Sequence, residues 1–468
     1  MLMRRKRRTP STRKVRRDVS GGKRGDGDKR TRAIRRPDPR RIHLGTPDPS
    51  LSGVAGLVLF GAYLRMIGVD QQLKRVFGSL KSSKCIYPMG AQLRLLLDAM
   101  VAGEPRVFGL EHLAADPLFV MLAGGVVPSL DTMYRDLDRF DEPDVEALSR
   151  MMVAQGLVPV RRLRHTEAVH LDIDTTVMPL FGQHEGAAVG PNPHYHGRPS
   201  YHPVVARVAE TDTCVSAQLR PGDTSFGVDD VPFVELAIDR VREAIGPEPL
   251  LYVRIDAAGD CAELMASVER KRALFVTKAR MTPDLCSAVA HHPRWRTTDT
   301  DADGEPSRQV ATIVFHREQW WRTGLGIRVV AVRTRERDTG KQLCLWDDLD
   351  YTVQVYLTND WQSDEDDIAW RYDKRAGIEP LIAEWKNAWG IGKMSSQSFD
   401  ANAASLLLKL LAHNLLRRYV NDQVPRLRQW RTPWVRRALI LVPGRITRSG
   451  RRRSLHLPRR PMLPHLLQ

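Results

Sequence analysis

Two aspartates stand two residues apart in Ala168–Val177 (AVHLDIDTTV), a stretch that alternates like a β-strand. Side chains on a strand repeat every second residue, so Asp172 and Asp174 face the same side. A third aspartate, Asp256, follows directly on the apolar run Leu250–Ile255 (LLYVRI), and Glu379 lies in the helix-like stretch Tyr372–Trp389. An acid on an apolar strand is costly to bury unless it is paired or bound to a metal. Two strands and one helix can bring three such carboxylates to one point. The chemistry that suits them is two-metal phosphodiester cleavage. Mg²⁺ or Mn²⁺ takes oxygen ligands and keeps positions open for phosphate and water. Two ions about 3.5–4 Å apart stabilise both the attacking and the leaving oxygen. No protein nucleophile is needed, which agrees with the lack of a Ser/His/Asp or Cys/His signature. For any single acid, the alternative is a surface or salt-bridged carboxylate.

The spacing around Glu379 is the sharper signal. Tyr372, Arg375, Glu379 and Lys386 fit Tyr-x₂-Arg-x₃-Glu-x₆-Lys in full. On one continuous helix these four and Trp389 fall on roughly one side. That face offers one carboxylate for a metal and two cations for phosphate. The residue types are common, so the match carries weight only beside the two upstream aspartates in a β setting.

The elements that must hold these groups can be read coarsely. Residues 48–160 have helical spacing. Within them Ser129 can cap a helix over Leu130–Phe140 that displays Thr132, Arg135 and Arg139. That is compatible with a DNA-reading helix-turn-helix, and equally with a plain helical bundle. From about residue 166 the texture turns to β. Strands are predicted over Ala168–Val177, Tyr201–Ala209 and Cys214–Leu219, then a helix over Val231–Ile245 and a strand over Leu250–Ile255. This β-β-β-α-β order resembles the start of an RNase H-like domain. Residues 262–360 are mixed and strand-rich and contain Trp295, Trp320, Trp321 and Trp346. Residues 366–391 and 397–420 read as helical. The fold class expected is therefore α/β. An RNase H-like domain formed by residues 166–261 and 361–424 is interrupted by a β-rich insertion (262–360) and preceded by a helical domain (48–160).

The charge is uneven. The 468 residues carry 72 Lys+Arg against 55 Asp+Glu, a net of +17. Residues 1–41 hold 18 Lys+Arg and 4 Asp, and residues 426–460 hold 12 Arg and no acid. A mildly acidic body thus lies between two basic arms: 1–44, read as disordered, and 425–468. Such arms attract a polyanion through counterion release at phosphates, and nucleic acid is the foremost candidate. The alternative is a solvated tail. With 42% hydrophobic and 27% charged residues the chain is neither wholly disordered nor collagen-like. The five cysteines form no CxxC pair, which reads as reduced thiols. The first 41 residues lack the apolar run of a secretory signal, and Leu51–Leu64 is too short to span a bilayer, so no membrane role is expected.

Several further motifs stand along the chain: Pro128-Ser129-x-x-Thr132, Asp172-Ile-Asp174-Thr-Thr, Gly182-Gln-His-Glu185-Gly and Tyr201-His202-Pro203. Further on come Arg220-Pro-Gly222, Arg254-Ile-Asp256, Phe399-x-x-Asn402 and Leu411-Ala-His-Asn414-Leu. With these, the chain resembles the DDE transposases of bacterial insertion sequences. Within them it resembles the group bearing the Tyr-Arg-Glu-Lys signature, and most of all the insertion-sequence family called thirteen-eighty. The resemblance runs from about residue 48 to 457. It implies that Asp174, Asp256 and Glu379 are the catalytic, metal-binding triad, holding two Mg²⁺ or Mn²⁺ ions. Asp174 is preferred to the alternative first acid Asp172 because the family's acid directly precedes the Thr pair. It further implies that Tyr372, Arg375 and Lys386 contact phosphates at the transposon end. Trp320 or Trp321 in the insertion could stack on a flipped base, the alternative being a core position.

The resemblance implies a cut-and-paste transposase, acting on double-stranded DNA as a homodimer in the bacterial cytoplasm, at the nucleoid. It would bind the terminal inverted repeats and cut one strand with metal-activated water. The freed 3′-OH would then attack the other strand and later the target. Two rivals remain open: an RNase H-like nuclease that cuts without joining, and a DNA-binding repressor with a decayed site. One departure stands out. Relatives usually carry Ser-Gly and an aromatic after the second acid, and here Ala257-Ala258-Gly259-Asp260 follows. His194, His196 and His202 lie close together, but no Cys is near and the spacing fits no common structural zinc pattern. A turn between strands is the better reading. Ala404–Leu416 reads as a core helix rather than a membrane one, given Lys409 and His413.

Overall fold

The computed structural model describes residues 42–43, 45–82, 84–190, 192, 196–335, 351–394 and 396–459. Contacts divide the chain into residues 1–48 and 49–468, and the second unit is described here. The predicted disordered arm, apart from a few residues at its end, falls outside the described residues, as do His194 and Trp346.

Helices dominate up to residue 160. Those used below are α1 (Met89–Ala102), α2 (Leu130–Leu137) and α3 (Glu142–Val160). The Ser129 hydroxyl accepts the Thr132 N–H and starts α2. Asp141 and Asp144 form a reciprocal capping box at the start of α3, with a proline in its first turn.

A nine-stranded sheet follows. Its strands are β1 (Ala168–Thr175), β2 (Val204–Val208), β3 (Thr213–Gln218), β4 (Leu250–Ile255), β5 (Leu274–Lys278), β6 (Arg296–Thr300), β7 (Pro306–Ile313), β8 (Arg328–Arg335) and β9 (Tyr351–Thr358). Their order across the sheet is β6-β7-β8-β9-β5-β4-β1-β2-β3. Only β1/β4 and β4/β5 pair parallel. Each of the two parallel neighbours is reached through a helix, α4 (Val231–Ile245) before β4 and α5 (Ala262–Arg270) before β5. The turn between β2 and β3 places Asp212 at φ 52°, which Asp tolerates better than most residues.

The strands of the predicted insertion do not form a separate sheet. β9 pairs antiparallel with β5 (Tyr356↔Lys278, Leu357↔Thr277), so β6–β9 extend the central sheet. Without β9 the edge of β5 would expose unpaired backbone groups.

Behind the sheet, α8 (Phe399–Gln423) runs through the core and packs along α3. Several of its buried polar side chains find backbone partners. Lys409 donates to the Gly390 and Lys393 carbonyls, and Asn414 bonds both the N–H and the C=O of Cys214. Burial holds the Lys409 ammonium down to about 7. The basic C-terminal segment is likewise built into the body over its described part. Arg436 is buried and donates to the Met100, Val101 and Ala388 carbonyls. A hairpin of Gly444–Ser449 and Arg452–His456 pairs with Leu51–Ser52. Its tip carries exposed Arg451, Arg452 and Arg453.

Candidate active site

β1 and β4 run side by side in the same direction, in the register Ala168↔Leu250 through Asp172↔Arg254. Two residues further on, Asp174 near the end of β1 comes level with Asp256, the first residue past β4. Adjacent strands lie about 4.8 Å apart, so the two acids emerge next to each other at the C-terminal edge of the parallel pair. Strand register thus sets this neighbourhood.

Asp172 is no part of it. Its carboxylate is completely buried between two cross-strand arginines, Arg254 on β4 (Nε at 2.5 Å) and Arg207 on β2 (Nη2 at 2.9 Å). The alternative first acid is therefore a structural ion pair, with both oxygens already engaged. Arg254 also donates to the Arg371 carbonyl and so ties the sheet to the helix that follows β9.

Asp174 is in a different state. Its Oδ1 accepts the Thr175 N–H at 2.9 Å and lies 3.3 Å from Arg375 Nη2. Burial pushes its carboxyl up to about 6; Arg375 opposes the shift, and the negative charges of Asp256 and Glu379 add to it. Burial is the main cause, and Arg375 is the strongest single charge acting on this carboxylate, with Asp256 and Glu379 near enough for their charges to be felt.

Asp256 follows β4 directly and caps the turn Ala257–Gly259 by accepting the Ala258 N–H at 2.9 Å. The loop that departs from the family pattern is firmly held. Thr277 Oγ1 donates to the Asp256 carbonyl at 2.5 Å. Arg317 Nη1 is 2.7 Å from both oxygens of Asp260, which also accepts the Arg280 N–H at 2.6 Å. Arg280 reaches back to the Ala257 carbonyl. A Cβ on Gly259 would meet Ile255 and Thr277 at 2.7 Å, so only glycine fits there. Arg280 and Arg317 were not singled out from the sequence, because nothing local links positions 37 residues apart.

The stretch bearing Glu379 is not one continuous helix. α6 (Glu365–Asp373) is followed by a tighter 3₁₀ turn, Lys374–Gly377, and then by α7 (Ile378–Ala388). The turn shifts the helical phase, so Trp389 does not share the site's face and is buried against His413 instead. The same turn carries Arg375 inward, where it reaches Asp174 and the Ile173 carbonyl. Glu379 stands exposed in the first turn of α7, where the helix dipole favours an anion. Tyr372 is buried against Tyr356, with Lys278 Nζ 5.6 Å from its ring centre. Burial pushes its phenol up to about 12; Arg375 opposes this, and Asp256 and Asp174 add to it. Lys386 Nζ donates to the Val177 carbonyl at 3.0 Å; burial lowers its pKa, opposed by Asp174.

Arg135 and Arg139 are exposed on and just after α2, where Arg139 pairs with Asp136. The two tryptophans of the Glu318–Arg322 helix differ. Trp320 is 1% exposed and packs on Phe315, so stacking on a base would require its removal from the core. Trp321 is 74% exposed.

Over residues 38–468 the sequence matches the family described as transposase DDE domain group 1. The chain belongs to that family. It is also similar to a solved structure, a piggyBac transposase synaptic complex with hairpin DNA. The two share 11% identity with a TM-score of 0.46, over 82% of this chain and 78% of that one. No curated protein matches it. Among the described residues of this transposase, no helix is long and apolar enough to cross a membrane.

DDE transposases depend in general on divalent metal ions. Here the donor chemistry fits, since Asp174, Asp256 and Glu379 offer carboxylate oxygens and the charges of the latter two act on Asp174. Among the described residues, however, no group of three His, Cys, Asp or Glu side chains stands close enough to hold an ion. Arg375 on Asp174 and the Ala258 N–H on Asp256 take oxygens a metal would otherwise use.

Proposed function

We propose that the chain is a cut-and-paste DNA transposase whose catalytic acids are Asp174, Asp256 and Glu379. The observation that carries this is the placement of Asp174 and Asp256 at the carboxyl ends of the parallel strands β1 and β4, with Arg375 on Asp174 and the charges of Asp256 and Glu379 felt there. The strand order β3-β2-β1-β4-β5, with only β1/β4 and β4/β5 parallel, supports an RNase H-like core for residues 166–278. Ligands of open α/β sheets favour the carboxyl ends of strands, which is where Asp174 and Asp256 lie.

The three acids would hold two Mg²⁺ or Mn²⁺ ions, which, when bound, activate water and stabilise the charge on a transferring phosphoryl group. The chain's own groups then have separate tasks. Arg375 offsets charge at Asp174 and keeps it aimed along the strand. The Asp260–Arg317–Arg280 network fixes the turn that carries Asp256. Glu379, exposed at a helix start, is the acid most free to move toward the DNA. Lys278 and Lys386 add positive charge for phosphates at the transposon end. The basic segments at both ends of the chain would bind double-stranded DNA, the terminal repeats and then the target, with a homodimer bringing two ends together.

Glu379→Gln keeps size and hydrogen bonding while removing the charge. It should abolish metal-dependent nicking and joining of DNA carrying the element's terminal repeats, and leave the binding of that DNA within about twofold. Nicking by the wild type without any joined product would favour a simple nuclease. Nicking by Glu379→Gln at the wild-type rate would overturn the assignment.

A further inference from the structure

A groove of about 610 Å³ opens beside the site, at the end where β1 runs out into Val177–Phe181. One wall is this segment with Lys386, Asn387 and the residues following α7; the other is Arg106, Phe108 and Tyr134 from the helical part of the chain. None of its lining residues is acidic, whereas the neighbouring site is built from acids. Arg106, Lys386 and Lys393 supply positive charge, and Phe108, Tyr134 and Phe181 supply aromatic faces. Phe181 is 70% and Phe108 52% exposed, unusual for rings that could be buried. The Arg198 guanidinium lies 4.3 Å from the Phe181 ring centre and covers one face of that ring.

We propose that this groove binds an unpaired stretch of the DNA strand that adjoins the reacting phosphate. Interleaved cations and exposed rings suit single strands, since each base offers a π-face for stacking while lysine and arginine follow the backbone. A duplex hides those faces, so cations alone would serve it. Lys386 joins the two regions, because it lines the groove and its charge acts on Asp174. A strand leaving the acids would therefore enter the groove at once, with a base on the open face of Phe181. The volume is sufficient for one or two nucleotides. The assignment rests on the transposase reading above, but its test does not require cutting.

The test is binding in EDTA, with fluorescently labelled single-stranded and duplex oligonucleotides of one sequence. Phe181→Ala, at an exposed position, should weaken single-strand binding roughly tenfold and change duplex binding less than twofold. Phe181→Trp should keep the single-strand affinity. A 2-aminopurine base placed in the single strand should be quenched by the wild type and not by Phe181→Ala. The idea is overturned if single-strand affinity is unchanged in Phe181→Ala, if both affinities fall equally, or if the wild type does not prefer Phe181-dependent binding of single strands. Each of these results can occur with nicking intact, which separates failure of the groove from failure of the transposase reading.

Discussion

Replacing Asp174 by Asn should make the metal-free protein more stable, by an amount that depends on pH. The carboxyl is held up at about 6 against an ordinary 3.8, so its ionised form is disfavoured in the folded chain. One unit corresponds to about 1.36 kcal/mol, which makes the folded-state penalty about 3 kcal/mol once the acid is ionised. Because the folded value is raised, the favourable contribution of the neutral acid is complete below the unfolded value. It is lost as pH climbs from about 3.8 to about 6, and stays lost above. Asn mimics the neutral acid at every pH and can still accept the Thr175 N–H. The variant should thus match the wild type near pH 4 and exceed it by about 3 kcal/mol at pH 8, a figure already net of the pairing with Arg375. Thermal midpoints in EDTA at one scan rate measure this, as a gain of several degrees at pH 8. Adding Mg²⁺ or Mn²⁺ should stabilise the wild type and leave the variant unchanged. A variant that is less stable at pH 8, or a difference that is flat across the pH range, would refute the claim that burial and the neighbouring acids disfavour the ionised form of Asp174.

The two aspartates of β1 should behave oppositely. Asp172→Asn leaves Arg254 buried without its countercharge and Arg207 with Asp212 alone, and should cost about 3–5 kcal/mol by urea denaturation, with little dependence on metal. The adjacent tryptophans should also separate. Trp320→Ala should destabilise by about 3–5 kcal/mol, whereas Trp321→Ala should change stability by less than about 0.5 kcal/mol and show any effect in DNA binding instead. Equal stability losses would contradict the burial of one ring and the exposure of the other.

Much of the local structure was legible from patterning alone. Val231–Ile245 and Leu250–Ile255 form the helix and strand expected, and β1 ends two residues short of its predicted limit. The three acids, and the arginine, tyrosine and lysine around the third, were singled out by residue type and spacing. Such signals are local: the period of apolar residues reports the element, and an acid on an apolar strand reports an unusual need for charge. The family's motifs were likewise readable, since they are strings of neighbouring residues.

What separated Asp172 from Asp174 was not. Both face the same side of one strand, and only the register of β2 and β4 puts Arg207 and Arg254 against the first and Asp256 beside the second. The 3₁₀ turn that swings Arg375 onto Asp174, the Arg317 clamp on Asp260, and the addition of β6–β9 to the central sheet are equally non-local. Sequence periodicity says which residues an element turns inward. Which partner meets them there depends on how strands are registered and helices broken, and that is decided only when the whole chain packs.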